Sequence, residues 1–176
     1  MNFRSITISG PVAAGSTTTA KLLGKKLKIP CKSAGDFFRQ YMLQHNIPLP
    51  QKEKVPDYIE RKIDKELTDL IASQKPIIIE GLYIGYFSRN IPHVLKVLLT
   101  CDQKTRIQRA LSRTHTHKET AQDVIDRDLA HDLKFRKLYA NENFLDPKFF
   151  NVVINTTNTS VEEVVRRIIQ KFKEDS

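Results

Sequence analysis

One stretch near the N-terminus constrains this chain more than any other: Ile6-Thr7-Ile8-Ser9-Gly10-Pro11-Val12-Ala13-Ala14-Gly15-Ser16-Thr17-Thr18-Thr19. An apolar strand runs into a glycine-bounded turn, and a helical pattern follows. Gly10 and Gly15 stand at the spacing of G-x-x-x-x-G-K-[ST], a loop whose backbone N–H groups and following helix N-terminus wrap phosphate oxygens. The lysine position of that pattern holds Ser16, while Thr17 keeps the hydroxyl that such loops direct to Mg²⁺. The loop works only between a strand and a helix, so it commits the start of the chain to a β–loop–α unit.

The rest of the chain repeats that rhythm. Short apolar runs recur at 3–9, near 31–33, at 76–80, at 94–100 and at 151–155, with helical patterns between them. Short strands alternating with longer helices predict an α/β fold, a three-layer sandwich in which a five-stranded parallel sheet carries helices on both faces. In open parallel sheets ligands gather at the carboxyl ends of the strands, and the 10–17 loop follows the carboxyl end of the first. At 176 residues the chain is expected to form one domain, 1–176.

Composition bounds the partners. The net charge of +9, from 29 Lys and Arg against 20 Asp and Glu, favours anions such as nucleotides, nucleic acid or a lipid surface, and a merely solvated basic surface is the plain alternative. The N-terminus lacks the pattern of a signal peptide and no apolar run approaches a membrane span, so a cytoplasmic protein with no membrane role is expected. Cys31 and Cys101 lie far apart at the edges of apolar runs, where small buried thiols are usual.

Several residues stand where chemistry is expected. In Ser33-Ala34-Gly35-Asp36-Phe37-Phe38-Arg39 the chain leaves the second strand, turns at Gly35 and starts a helix that Asp36 is placed to cap; Arg39, on its first turns, suits a bidentate grip on phosphate or carboxylate. Glu80 ends the third strand, where an acid can hold Mg²⁺ or its water shell, and Gly81 and Gly85 leave room for a close ligand or turn. Asp102 is placed to cap a helix that carries Arg106, Arg109 and Arg113 on one face, a spacing that makes most sense facing phosphate, with a solvated basic stripe contacting RNA as the alternative. Lys21 lies within reach of a phosphate in the loop, although a solvated lysine is the commoner state. His115 and His117 are weak evidence for metal without a third ligand. Ser160-Val161-Glu162-Glu163 matches a capping box opening the last helix.

Taken together, these stretches resemble a nucleoside monophosphate kinase of the P-loop fold, most closely the short archaeal-type cytidylate kinases. That group often has G-x-x-x-x-G-[ST]-T-T, which Gly10 to Thr18 resembles, and an S-A-G-x-[IF]-F-R turn, matched by Ser33, Ala34, Gly35, Phe38 and Arg39. The resemblance implies transfer of the γ-phosphoryl group of ATP, with Mg²⁺, to CMP or dCMP. It implies that Gly10, Ala13, Ala14, Gly15, Ser16, Thr17, Thr18 and Arg109 bind the donor, and that Thr17 and Glu80 hold the metal. Ser33, Arg39, Asp64 and Gly81 would bind the acceptor in a region at about 33–73. Arg113, Arg127 and Lys134 would supply catalytic charge from a helical lid at about 113–136, with the protein acting as a monomer. Two departures stand out: Leu82 replaces the arginine of the family's E-G-R, and Glu60 to Asp64 continues as Lys65-Glu66 where the family has D-x-x-x-D-R-R. The alternatives are a nucleotide-binding regulator or RNA-associated protein with little kinase activity, and a small-metabolite kinase on the same fold.

Overall fold

A computed structural model describes residues 3–47, 54–112 and 120–174. Its strands are β1 (Ser5–Ser9), β2 (Cys31–Ser33), β3 (Ile78–Glu80), β4 (Val94–Thr100) and β5 (Val152–Asn155), and they form one parallel sheet in the order β2-β3-β1-β4-β5. The helices are α1 (Ser16–Leu27), α2 (Ala34–Gln44), α3 (Asp57–Ala72), the short α4 (Ile84–Phe87), α5 (Gln103–Leu111), α6 (Ala121–Leu138) and α7 (Val161–Glu174). The α/β class and the five parallel strands are as the apolar runs predict; α4 and a 3₁₀ turn at Pro147–Phe149 are additions.

Two apolar layers flank the sheet. On one face Ile6, Ile8, Leu95, Val97, Leu99 and Ile154 pack against Ala20 and Leu23 of α1 and Val164, Val165 and Ile168 of α7. On the other, Ile77, Ile79 and Val94 meet Phe38 and Met42 of α2, Ile63, Leu67 and Ile71 of α3 and Ile84 of α4. Burying these side chains is the main driving force for the fold, at about 25 cal/mol per Å² of apolar surface removed from water.

The first strand is not the continuous apolar run expected of a strand covered on both faces. Ser5, Thr7 and Ser9 alternate with Ile6 and Ile8, and all five are buried. The hydroxyls are satisfied by the neighbouring backbone and by the hydroxyl of Ser88. Ser9 Oγ donates to Gly81 O at 2.7 Å and accepts from Gly85 N at 3.0 Å, Ser5 Oγ accepts from Ile77 N at 3.2 Å, and Thr7 Oγ1 lies 3.2 Å from Ser88 Oγ. This hydrogen-bonded column removes the desolvation cost that unpaired hydroxyls would carry. It also ties the chain after β3 to the strand that leads into the loop.

Helix ends follow their caps with one correction. Ser33, not Asp36, caps α2: its Oγ accepts from Asp36 N at 3.3 Å, and the helix has already begun at Ala34, so Gly35 lies within it. Asp102 caps α5 by accepting from Thr105 N at 2.7 Å. Thr120 and Asp123 cap α6 reciprocally, and Ser160 Oγ accepts from Glu163 N at 3.3 Å at the start of α7. Cys31 is exposed rather than buried, because β2 is an edge strand; both thiols are free.

Candidate active site

The loop between β1 and α1 is held open by two different backbone devices. Gly15, the N-cap of α1, has φ of 100°, and no side chain caps the helix, so the N–H groups of its first turn are left to an outside acceptor. Gly10 is required by space: a Cβ there would lie 2.6 Å from Leu99 O, at the point where the loop crosses β4. Ala13 also takes a positive φ of 63°, which suits glycine better than an L-residue, and its buried methyl packs with Ala110 and Val124.

Three oxygen-bearing side chains converge beside this cradle. Register places Glu80 opposite Ile8 on one side and Ser33 on the other. Thr17 Oγ1 donates to Glu80 Oε1 at 3.2 Å, and Ser33 Oγ donates to the same oxygen in a short hydrogen bond. Glu80 is buried, and this burial holds its carboxyl above the usual carboxylate range in spite of the two hydroxyl donors. A buried carboxylate oxygen next to a threonine hydroxyl is a hard donor set that fits a small divalent cation, which completes its shell with water and phosphate oxygens. Among the described residues no group of three or more His, Cys, Asp or Glu could hold a metal by itself.

Toward α7, Arg109 donates to Thr156 O at 2.6 Å and Thr156 Oγ1 at 3.1 Å, and the buried Thr156 donates in turn to Ala14 O at 2.9 Å. These residues line a cavity of about 210 Å³ with Gly15, Thr18, Thr19 and Val161. Arg109 therefore lies beside Ala14, Gly15 and Thr18. Thr156 was legible only as the end of the last strand.

The other side of the cradle is built by α2 and α3. Arg39 folds back along its own helix to an exposed ion pair with Asp36 and lies over Gly35. Asp64 is buried and accepts from Tyr139 Oη at 2.6 Å; one turn earlier on α3, Glu60 is almost completely buried. Burial, and then these two carboxylates, push the phenols of Tyr83 and Tyr139 above their ordinary range. The glycines after β3 do not open space for a ligand. A Cβ on Gly81 would lie 2.7 Å from Ala34 Cβ, and one on Gly85 would lie 2.2 Å from Phe150 Cε1. Both are contacts between chain segments.

The charges expected to face phosphate are distributed differently. Arg106 is buried on α5, where it donates to Asp128 Oδ2 at 2.6 Å and to Val12 O at 3.0 Å; Asp128 Oδ1 accepts from Val12 N at 3.1 Å. It is thus a tether between the loop and α6, not part of a phosphate-facing row. Lys134 lies 2.7 Å from Glu60 Oε1 and 3.7 Å from Asp57 Oδ1, bridging α6 to α3. Arg127 is exposed on α6. Arg113, His115 and His117 lie outside the described residues, as do 48–53 in the Pro-rich connection.

Comparison with known proteins decides the family. A model described as the cytidylate kinase-like family matches residues 5–158. This chain belongs to the cytidylate kinase-like family. A cytidylate kinase of Sulfolobus acidocaldarius is 34% identical over 168 residues, covering 93% of this chain and 91% of the relative. One of Sulfurisphaera tokodaii is 30% identical over 171 residues, covering 95% and 93%. Among solved structures, the shikimate kinase of Acinetobacter baumannii in complex with shikimate has a TM-score of 0.66 at 17% identity, covering 99% of this chain and 95% of its own. A gluconokinase of Sinorhizobium meliloti has a TM-score of 0.62 at 15% identity, covering 99% and 94%. These structures share the fold.

Within this kinase, the residues that the sequence did not single out are Asp128 and Tyr139. Each acts through a partner distant in the chain, so no local pattern marks it. For Asp128 even the helix it sits on reads as evenly charged. No helix among the described residues is long and apolar enough to cross a membrane.

Proposed function

We propose that this kinase transfers the γ-phosphoryl group of ATP to a nucleoside monophosphate, CMP or dCMP, acting as a monomer in the cytoplasm from a single domain with its acceptor region at 33–73 and its lid at 113–136. The observation that carries the reading is the meeting of Thr17, Ser33 and Glu80 at the carboxyl ends of β1, β2 and β3, beside an uncapped helix N-terminus. A donor phosphate chain and an acceptor phosphate can approach each other there, at the common edge of three strands.

Catalysis in this reading is by position and charge, with no covalent enzyme intermediate. The amides of Ala13, Ala14, Gly15, Ser16, Thr17 and Thr18 receive the donor phosphates beyond Gly10, and Arg109 borders the cavity for the rest of the donor. Thr17 and Glu80 hold Mg²⁺, which supplies neutralisation of the phosphate charge when bound. Arg39 exchanges Asp36 for the acceptor phosphate, beside Ser33, and Gly81 keeps the α2 N-terminus close against β3. Asp64 receives the acceptor base. Its carboxylate accepts hydrogen bonds, which suits the exocyclic amine of cytosine and not the carbonyl of uracil. Arg113 and Arg127 bring charge to the transferring group from the lid, while Lys134 stays with Glu60 and Asp57, and closure of the lid excludes water.

A coupled assay of ADP release with CMP, dCMP, UMP, AMP and GMP tests the proposal. ADP release that depends on CMP or dCMP and exceeds that with UMP by at least about tenfold is expected from one mispaired polar edge. Acceptor-independent hydrolysis, or no turnover with any monophosphate, refutes phosphoryl transfer. Preference for another base refutes the assignment of Asp64.

A further inference from the structure

With Ser16 in place of the loop lysine, the phosphates need a cation from elsewhere, and most of the nearby ones are committed. Arg106 is held by Asp128 and Val12, Arg109 by Thr156, Arg39 by Asp36, and Lys134 by Glu60 and Asp57. Lys21 differs from all of these. It is exposed on α1 and has no hydrogen bond or salt bridge to any described residue.

Its position follows from helix geometry. Lys21 stands four residues after Thr17, so both side chains share one face of α1, and Thr17 marks that face by reaching Glu80. Four residues are about 6 Å of helix, and side chains lean toward the helix N-terminus, so a lysine stem from position 21 covers the turn that bears Thr17. The same face borders β2: the charge of Lys21 is felt at the Cys31 thiol, together with the charges of Glu80 and Asp36. Lys21 therefore lies on the acceptor side of the cradle, between the strand that leads to Ser33 and the helix turn that carries Thr17.

We infer that Lys21 is the catalytic cation that replaces the missing loop lysine, reaching the phosphoryl group from one turn down α1 on the side of the acceptor. The inference rests on the phosphotransferase reading above. In the step it serves, the bond from the γ-phosphorus to the oxygen bridging it to the β-phosphate breaks while a bond forms to an oxygen of the acceptor phosphate. Lys21 remains an ammonium throughout and neutralises the oxygens that carry the charge in transit. A lysine at position 16 would start from the rim of the loop; one at position 21 approaches between donor and acceptor, so its charge acts on both.

The test compares Lys21→Met, Lys25→Met, Ser16→Lys and the double variant Lys21→Met/Ser16→Lys with the unaltered enzyme. Its readouts are kcat, KM for ATP and for CMP, CMP affinity by calorimetry, and thermal midpoint. Losing one charge-assisted contact predicts that Lys21→Met lowers kcat/KM by roughly tenfold or more and weakens CMP binding, with an unchanged thermal midpoint. Ser16→Lys should restore most of that loss in the double variant. Lys25, exposed one turn further along, should tolerate Met within about twofold, the range of a screened surface charge. Equal losses for Lys25→Met and Lys21→Met overturn the inference in favour of general surface charge, and failure of Ser16→Lys to restore activity overturns the replacement. If Lys21→Met stays within twofold while the unaltered enzyme phosphorylates CMP, Lys21 is excluded and the kinase reading stands. If the unaltered enzyme phosphorylates no monophosphate, both fall.

Discussion

Replacing Asp128 by alanine should destabilise the fold by about 2–3 kcal/mol, more than any other single change at the join between loop and α6. The carboxylate accepts from Val12 N at 3.1 Å and from Arg106 at 2.6 Å. The Arg106 side chain is 9% exposed and that of Asp128 29%. Arg106 Nε already meets no acceptor among the described residues, so without Asp128 the buried guanidinium keeps only Val12 O. Breaking a fully buried pair costs about 3–5 kcal/mol. The partial exposure of Asp128 lowers that figure, and alanine regains about 0.5 kcal/mol through its better helix propensity. The reverse change is cheaper. Arg106→Met removes the buried charge and leaves a carboxylate that water can reach, at a cost of about 1 kcal/mol. The two losses should not add, because both remove one interaction. Urea unfolding followed by circular dichroism reads the difference as a shift of midpoint at constant slope. A cost below about 1 kcal/mol for Asp128→Ala, or a larger cost for Arg106→Met, refutes the view that α6 is tethered to the loop by this buried charge.

Three further outcomes follow from the same reasoning. Burial raises the Glu80 carboxyl above its ordinary value of 4.5, so the folded state holds this proton more tightly than the unfolded one; its contribution to stability is complete below pH 4.5 and is lost as pH rises through the folded value. Glu80→Gln should therefore raise the thermal midpoint of the ligand-free protein at pH 7 but not at pH 4, while removing Mg²⁺-dependent turnover; an equal shift at both pH values counts against this. Gly10→Ala, whose Cβ would meet Leu99 O at 2.6 Å, should displace the loop and cost about 1–3 kcal/mol, whereas Gly15→Ala, with nothing within 4 Å but φ of 100°, should cost only the roughly 1–2 kcal/mol of a left-handed residue. Nucleotide affinity and urea midpoints together separate the two, and a larger stability loss at Gly15 contradicts the steric account. Lys134→Met strands the buried Glu60 and should cost about 3 kcal/mol, while Lys137→Met, at an exposed pair with Asp57, should cost less than about 1 kcal/mol by the same unfolding measurement; similar values for both would show that burial of Glu60 is not what matters.

The legible part of this protein is the part written in local pattern. Apolar runs separated by helical periods determine five parallel strands and their helices, since each strand must be buried on both faces and each helix must cover one of them. The loop from Gly10 to Thr17 is legible in its spacing: the positive φ of Gly15 belongs to one strand–turn–helix unit, whereas the close approach that requires Gly10 is made to Leu99 O of β4. The convergence of Thr17, Ser33 and Glu80 could be expected for the same reason, because strand ends of a parallel sheet share one edge.

What tertiary structure alone decided is how the long, charged side chains are used. Arg106, Arg109 and Lys134 look alike in the sequence as cations on amphipathic helices, yet one anchors the loop through Asp128, one holds Thr156, and one neutralises Glu60. Gly81 and Gly85 likewise read as room for a close ligand or a turn; a turn does follow Gly81, and both positions are contacts with Ala34 and Phe150 rather than space for a ligand. The physical reason is common to these cases. Backbone periodicity settles which face of an element is buried, but a flexible side chain takes the partner that packing brings within a few ångströms, and that partner is usually remote in sequence. The chain alone therefore determined the sheet and the phosphate cradle; the packing of α5 and α6 against α3 and the loop decided which charges stay bound to the protein and which, Lys21 above all, are left to meet a substrate.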